Sequence, residues 1–222
     1  MNVSIKLLIM FAITPMLLLS GCATNRSVLN LSLPESSIET PQNGSTVYIQ
    51  SVSDQRVFQE NPKTQDIPSL GFGGAESTSS DLKKRAVGRK RNSYGKALGD
   101  ILLEENQNVE TVIKAALQKA FQGSGYYVID DQANIDSNTV IVEATIEKFW
   151  AYMTPGFWAI TLSSDVSTTL NLTKKTINGP ISEKISVKSE GKYQVATESN
   201  WKEIIDQSLD QYISKTKEML NK

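Results

Sequence analysis

The sequence predicts an α+β domain, an antiparallel β-sheet of about five strands with two helices packed on one face. Two long alternating segments, 139–153 and 157–173, meet at Thr154-Pro155-Gly156, where proline and glycine occupy the positions that a type II turn favours. Two other segments repeat apolar residues with the period of an amphipathic helix. The predicted order β-α-β-β-β-β-α makes neighbours along the chain antiparallel neighbours in the sheet.

The other predicted strands are shorter. The first spans 45–52 and ends at the polar triplet 54–56, and another spans 126–129. A turn at 178–180 precedes the last strand, whose apolar residues are Ile185, Val187, Tyr193 and Val195. Segment 157–173 has one apolar and one polar face, which is typical of a sheet with one buried side. Its apolar face comprises Trp158, Ile160, Leu162, Val166, Leu170 and Leu172.

Both predicted helices follow an asparagine that can cap them. Asn108 precedes a stripe formed by Val109, Val112, Ile113, Ala116, Leu117, Ala120 and Phe121. Asn200, with Glu203 at the capping-box position, precedes the C-terminal helix. The stripe of that helix is Trp201, Ile205, Leu209, Tyr212, Ile213, Met219 and Leu220.

The triplet Asp54-Gln55-Arg56 has two interpretations. It is either a surface recognition motif or, as we favour, a structural turn in which the acid caps backbone amides and Arg56 pairs locally.

The chain begins with a predicted lipoprotein signal peptide, 1–21. A positive charge, an apolar run and the small residues Ser20 and Gly21 stand in the order of a secretory signal, directly before Cys22. The apolar run is shorter than the roughly 20 residues that span a bilayer. Since Cys22 is the only cysteine, we expect it to become the first mature residue and to carry acyl chains, palmitate among them.

Two regions follow the leader in this interpretation. Residues 22–44 are polar and irregular and predict a flexible tether. Residues 45–222 form a single α+β domain that contains a long loop insertion at about 57–96. No aspartate follows Cys22, which resembles lipoproteins sorted to the outer membrane. We therefore expect an outer-membrane, lipid-anchored protein that faces the periplasm.

Composition excludes several classes of function. The chain has no histidine, so Ser-His and Cys-His nucleophilic sites and the commonest metal ligand are ruled out. The formal charge is −1 for the full chain, and export also argues against a nucleic-acid partner. A carboxylate pair, Glu143 and Glu147, lies on one strand face, but polar residues are ordinary there. We expect no enzyme activity, no metal and no cofactor.

These features together resemble the YajG family of bacterial lipoproteins. The residues that carry the resemblance are Cys22, the triplet 54–56, the helix end at Gly125-Tyr126 and the strand containing Glu190-Gly191. The insertion between Arg56 and Ala97 departs from the family. The resemblance implies an envelope lipoprotein with an α+β domain, and it implies no catalytic residues.

Aromatic residues crowd the predicted tip of the central hairpin. Trp150, Tyr152, Phe157 and Trp158 either fill a core or form an exposed surface that docks a protein or lipid partner. The second interpretation predicts a non-enzymatic protein that binds an envelope protein in an accessory or assembly role. The alternative function is a binder or carrier of a lipid or glycan in a groove between sheet and helices.

A basic run within the insertion offers a second candidate surface. Its members are Lys83, Lys84, Arg85, Arg89, Lys90 and Arg91. Clustered positive charge predicts contact with an anionic lipid or lipopolysaccharide. The alternative is a solvated loop whose charges are neutralised by nearby acids.

Overall fold

A mixed β-sheet of eight strands forms the body of the protein. The computed structural model describes residues 26–31, 44–71, 73–92, 94–174 and 179–221. The strands are β1 (Ser27–Leu29), β2 (Thr46–Asp54), β3 (Ala86–Arg91), β4 (Ala97–Leu103), β5 (Tyr127–Ile129), β6 (Val140–Thr154), β7 (Ile160–Thr173) and β8 (Ile181–Tyr193). The helices are α1 (Gly74–Ser77), α2 (Ser80–Arg85), α3 (Val109–Gln122) and α4 (Glu198–Leu220), with a 3₁₀ turn at Gln132–Asn134.

The predicted fold class is wrong. Among the described residues, β1–β4, β2–β5, β2–β6 and β3–β6 pair in parallel, whereas only β3–β4, β6–β7 and β7–β8 are antiparallel. Within the described ranges the sheet thus has eight strands rather than about five, and the helices number four rather than two. The segment that links β2 to its parallel neighbour β5 contains β3, β4 and helix α3. A long connection of this kind lets two strands run parallel.

Two of the strands lie where the sequence predicted irregular chain. Strand β1 falls within the predicted tether 22–44, and β3 falls within the predicted loop 57–96. Polar residues interrupt the apolar alternation that would predict these strands. Those residues are accommodated in the fold by partners from other parts of the chain, which the local sequence does not show. The leader, Cys22 and most of the tether lie outside the described residues.

The sheet forks at its central strand, β6. Strand β7 pairs along nearly the whole of one edge of β6. Two strands share the other edge in succession, β2 as far as Ile146 and then β3 at Ala151. Gly88 approaches β6 so closely that a Cβ atom there would lie 2.8 Å from the carbonyl oxygen of Ala151. One arm of the fork is β2–β5 and the other is β3–β4–β1.

A β-bulge between Ile146 and Lys148 changes which side chains of β6 face the two long helices. Before the bulge the inward residues are even-numbered, and after it they are odd-numbered. The main core therefore contains Val142, Ala144, Ile146, Phe149, Ala151 and Met153. Trp150 and Tyr152 turn to the opposite face and form a second, smaller core with Leu70, Ala86 and Leu102.

The two long helices cover the main core. Asn108 caps α3 as predicted, and its side chain accepts a hydrogen bond of 2.8 Å from the Thr111 amide. Helix α4 begins earlier than predicted, because Thr197 rather than Asn200 is its N-cap. Buried hydroxyl pairs, Ser164–Ser208 at 2.9 Å and Thr168–Tyr212 at 2.8 Å, join β7 to α4.

Arg56 holds the fork together. Its guanidinium pairs with Asp54 at 2.8 and 2.9 Å, as the structural-turn interpretation predicted. It also donates to three carbonyl oxygens, those of Ala86 at 2.6 Å, Phe149 at 3.0 Å and Lys83 at 2.8 Å. These bonds join the end of β2, the start of β3 and the middle of β6, and the Arg56 side chain is fully buried.

Replacement of Arg56 should therefore destabilise the whole domain. In Arg56→Met the Asp54 carboxylate and the three carbonyls lose their hydrogen bonds from the guanidinium, and removal of one partner of a buried ion pair costs about 3–5 kcal/mol. We expect urea unfolding of the mature chain to show a loss of this size. The exposed Lys63 provides a control, since Lys63→Met should leave the free energy of unfolding nearly unchanged. Equal stability of the two variants would contradict the role of Arg56.

Candidate functional site

Three aromatic side chains protrude from two hairpin loops at one end of the sheet. Tyr94 is 94% exposed, Phe157 89% and Trp158 82%. The rings of Phe157 and Trp158 contact each other edge to face, with centroids 4.8 Å apart. Loop 92–96 follows β3 and loop 155–159 follows β6; because these strands are parallel, both loops lie at the same end.

A third loop, 194–197, lies at that end as well. It follows Tyr193, which pairs with Ile160 at the start of β7, and it carries Val195, which is 66% exposed. We call the surface formed by loops 92–96, 155–159 and 194–197 the loop end of the molecule.

Only half of the predicted partner-binding set is on the surface. Trp150 is fully buried and its indole N–H donates to the carbonyl oxygen of Gln65 at 3.2 Å. Tyr152 is 9% exposed. The bulge turns both rings into the smaller core, beneath the segment that leads from Arg56 to β3. Phe157 and Trp158 lie beyond the strand ends and remain exposed, although the alternation in the sequence placed Trp158 on the buried face.

The predicted basic cluster is part of the folded domain rather than a mobile loop. Lys83, Lys84 and Arg85 lie in α2, and the other three basic residues lie in β3. Lys84 binds Glu110 at 2.9 Å, and this hydrogen bond raises the pKa of the Lys84 ammonium group. The guanidinium of Arg85 donates to the carbonyl oxygen of Leu103 at 2.9 and 3.0 Å.

The arginines of β3 also have partners inside the fold. Arg89 and Arg91 both donate to the buried hydroxyl of Ser69, at 3.0 and 3.1 Å. Burial lowers the pKa of both guanidinium groups, although arginine stays charged in proteins. The contacts described so far engage Lys84, Arg85, Arg89 and Arg91 within the domain.

A buried carboxylate fixes the start of β1. Asp100 of β4 is fully buried. It accepts hydrogen bonds from the Arg26 guanidinium at 3.2 Å and from the Gly71 amide at 2.9 Å, and the Arg89 guanidinium lies 3.8 Å away. Because these contacts tie Arg26 to β4, Asp100 is a structural residue that positions the N-terminal strand.

A pocket lies at the opposite end of the sheet, which we call the distal end. Its volume is about 340 Å³. It opens between the last turn of α4, the start of β6, the C-terminal end of β7 and the start of β8. Six apolar and four polar residues form its wall: Tyr126, Val140, Leu172, Ile181, Met219 and Leu220 with Ser45, Thr173, Lys174 and Glu183. The sequence predicted none of these wall residues as a site, because the wall comes from separate segments of the chain.

The carboxylate pair considered for catalysis does not converge. Glu143 accepts a hydrogen bond from Gln50 at 3.0 Å. Glu147 binds Lys184 and Thr169, and these hydrogen bonds lower the pKa of its carboxyl group. In the part of the chain that the structure describes, no group of three or more acidic or sulfur ligands is arranged to hold a metal ion.

Membrane attachment was predicted from Cys22, which lies outside the described residues. Within the described ranges, no helix has both the length and the apolar character needed to cross a bilayer.

Comparisons with known proteins find similar structures at low identity. An uncharacterized protein is 12% identical, with 88% of this chain and 99% of that chain covered, at a TM-score of 0.47. Protein XCC0632 from Xanthomonas campestris, of family DUF330, is 12% identical, with 89% and 91% covered, also at 0.47. A minor lipoprotein from Acinetobacter baumannii is 13% identical, with 50% and 86% covered, at 0.33.

These three structures have TM-scores below 0.5. They do place a bacterial lipoprotein among the solved structures that this chain resembles. No protein-family model and no curated protein matches the sequence, so the likeness to the YajG family remains a resemblance.

The exposure of Trp158 can be measured directly. The chain has three tryptophans, and Trp150 and Trp201 are fully buried. We expect acrylamide to quench mainly the fluorescence of Trp158 in the mature chain. Trp158→Phe should therefore remove most of the accessible fluorescence, whereas Trp150→Phe should leave it in place. Strong quenching that survives Trp158→Phe would show that a second tryptophan is exposed.

Proposed function

We propose that this chain is a non-enzymatic lipoprotein of the outer membrane that binds an amphipathic, lipid-class ligand in its distal pocket. The pocket is the observation that carries the proposal. Its volume of about 340 Å³ lies at the lower end of the range of roughly 300–1,000 Å³ for small-molecule sites. It lies between a helix and the sheet, which is where a ligand-binding groove was expected.

The wall of the distal pocket favours a lipid over a glycan. Five of the ten described wall residues are aliphatic, and Tyr126 is the one aromatic residue among those ten. The Tyr126 ring already packs edge to face on Phe121, with centroids 5.3 Å apart. Lys174 and Glu183 provide charges for the polar group of a ligand, while Leu172, Ile181 and Met219 provide a surface for an alkyl chain.

The membrane anchor gives this binding a place to act. An acylated Cys22 would hold the domain at the bilayer from which lipid-class ligands come. The separate partners of Glu143 and Glu147 agree with a role in binding rather than in catalysis.

The protein-partner interpretation is less well supported. It retains Phe157 and Trp158 as surface residues but loses Trp150 and Tyr152 to the core. We therefore place ligand binding in the distal pocket ahead of partner binding through the hairpin tip.

The distal pocket can be tested with a fluorescent single-chain fatty acid. We expect the mature chain to bind the probe and Met219→Trp to weaken binding by about tenfold or more, because the larger ring fills the site and tenfold corresponds to about 1.4 kcal/mol. Ser214→Trp is the matched control, since Ser214 lies on the same helix, is exposed and is not part of the wall. Titration by fluorescence gives both dissociation constants.

Two results would contradict the proposal. The first is a mature chain that does not bind the fatty acid. The second is equal weakening by Met219→Trp and Ser214→Trp, which would place the probe elsewhere on the molecule.

A further inference from the structure

We propose that the loop end faces the membrane, and that Tyr94, Phe157 and Trp158 insert into the headgroup region of the bilayer that carries the acyl chains of Cys22. The inference rests on the acylation of Cys22, which is part of the proposed function. Beyond the proposed function, the inference assigns the loop end as a docking surface, the bilayer as what it contacts, and an orientation of the domain on the membrane.

The direction of β1 provides the first argument. Strand β1 runs parallel to β4, with Ser27 opposite Ile101 and Leu29 opposite Leu103. Strand β4 itself begins at loop 92–96, so the N-terminal end of β1 points towards the loop end. Two contacts fix it there: Arg26 binds the buried Asp100, and Ser27 donates to Glu198 at the start of α4.

The length of chain between the anchor and β1 provides the second argument. Cys22 lies four residues before Arg26, and four residues reach at most about 14 Å. Arg26 is level with Asp100, three residues from the start of β4 at Ala97. At about 3.3 Å per residue, the loop end projects roughly 10 Å beyond Arg26 towards the side from which the chain arrives.

This geometry leaves little room for another occupant. A domain of 100 residues has a radius of gyration of about 13 Å, so it would be wider than the reach from Cys22 to Arg26. A folded partner therefore does not fit easily between the loop end and the bilayer, whereas the bilayer surface itself does.

The residues of the loop end suit a membrane surface. Tryptophan and tyrosine favour the interface between water and the hydrocarbon core, and the three most exposed large apolar side chains described are Tyr94, Phe157 and Trp158. The three loops contain no acidic residue. Lys96, within the loop end, and Lys192, just before it in β8, are exposed and can meet anionic headgroups.

Depth-dependent quenching tests the proposal on the acylated protein. The full chain is processed in a bacterial host, its acylation is verified by mass spectrometry, and it is reconstituted into phosphatidylglycerol–phosphatidylethanolamine vesicles containing brominated phospholipid. We expect the bromine to quench Trp158 and the vesicles to protect Trp158 from acrylamide. Trp158→Phe should remove both effects.

A relocated tryptophan provides the matched control. Tyr127 is partly exposed and lies at the distal end, where it pairs with Thr46. In the double variant Trp158→Phe, Tyr127→Trp, we expect the new tryptophan to remain accessible to acrylamide and unquenched by brominated lipid. Suppose that brominated lipid quenches the tryptophan at position 127 in this variant but does not quench Trp158 in the unsubstituted chain. The domain would then have the opposite orientation, and the proposal would be overturned.

Binding without the anchor gives a second measurement. The mature chain with Cys22→Ser should partition weakly into the same vesicles. Replacing Tyr94, Phe157 and Trp158 by serine should lower that partition by about tenfold or more, given the apolar area removed, whereas Tyr127→Ser should not. Equal partition of the two variants would overturn the proposal.

The outcomes separate this inference from the proposed function. A mature product without acyl chains would overturn this inference and the lipoprotein part of the proposed function. An acylated product whose Trp158 stays accessible to acrylamide would overturn only the membrane-facing loop end and would favour a protein occupant. Neither result would alter the fatty-acid titration of the distal pocket.

Discussion

The fold depends on the buried guanidinium of Arg56. The central strand β6 has one edge that two strands must share, and the gap between them exposes carbonyl groups that no neighbouring strand can pair. Arg56 fills that gap and satisfies oxygens from three segments, while Asp54 balances its charge. An unpaired polar group in such a place is costly, so this one residue lets the sheet branch without leaving its junction unsatisfied.

Branching gives the molecule two ends with different character. Strand β6 has 15 residues, which at about 3.3 Å per residue separates its ends by roughly 45 Å. Exposed aromatic rings lie beyond one end, and an apolar pocket lies beneath the last turn of α4 at the other. In the orientation that we propose, ligands would bind on the side away from the bilayer, at the full length of the domain from the acyl anchor.

The sequence was sufficient for elements with a strong local signal. The hairpin of β6 and β7, the strands β2, β5 and β8, and the helices α3 and α4 all follow from periodicity, turns and caps. Strands β3 and β4 did not, because their charged residues, such as Arg89 and Asp100, find buried partners that only the tertiary structure supplies. Pairing direction was also missed, since a crossover through α3 is a property of the topology.

The candidate sites were harder to predict for a related reason. A single extra residue in β6, the bulge before Lys148, turns Trp150 and Tyr152 away from the face that the long helices cover and into the smaller core. No local pattern marks such a change of phase. The distal pocket depends on segments far apart in the chain, and the exposure of Phe157 and Trp158 depends on where the strands end. Only the structure therefore shows which of these side chains are buried and which are exposed.

The parallel pairing of β1 with β4 has a mechanical consequence. A pull on the acyl anchor would act along the axis of β1, because the strand points towards the side from which the chain arrives. Its hydrogen bonds to β4 would be loaded in shear and would have to break together rather than one after another. The contacts of Arg26 with Asp100 and of Ser27 with Glu198 would share that load with the strand β4 and the helix α4.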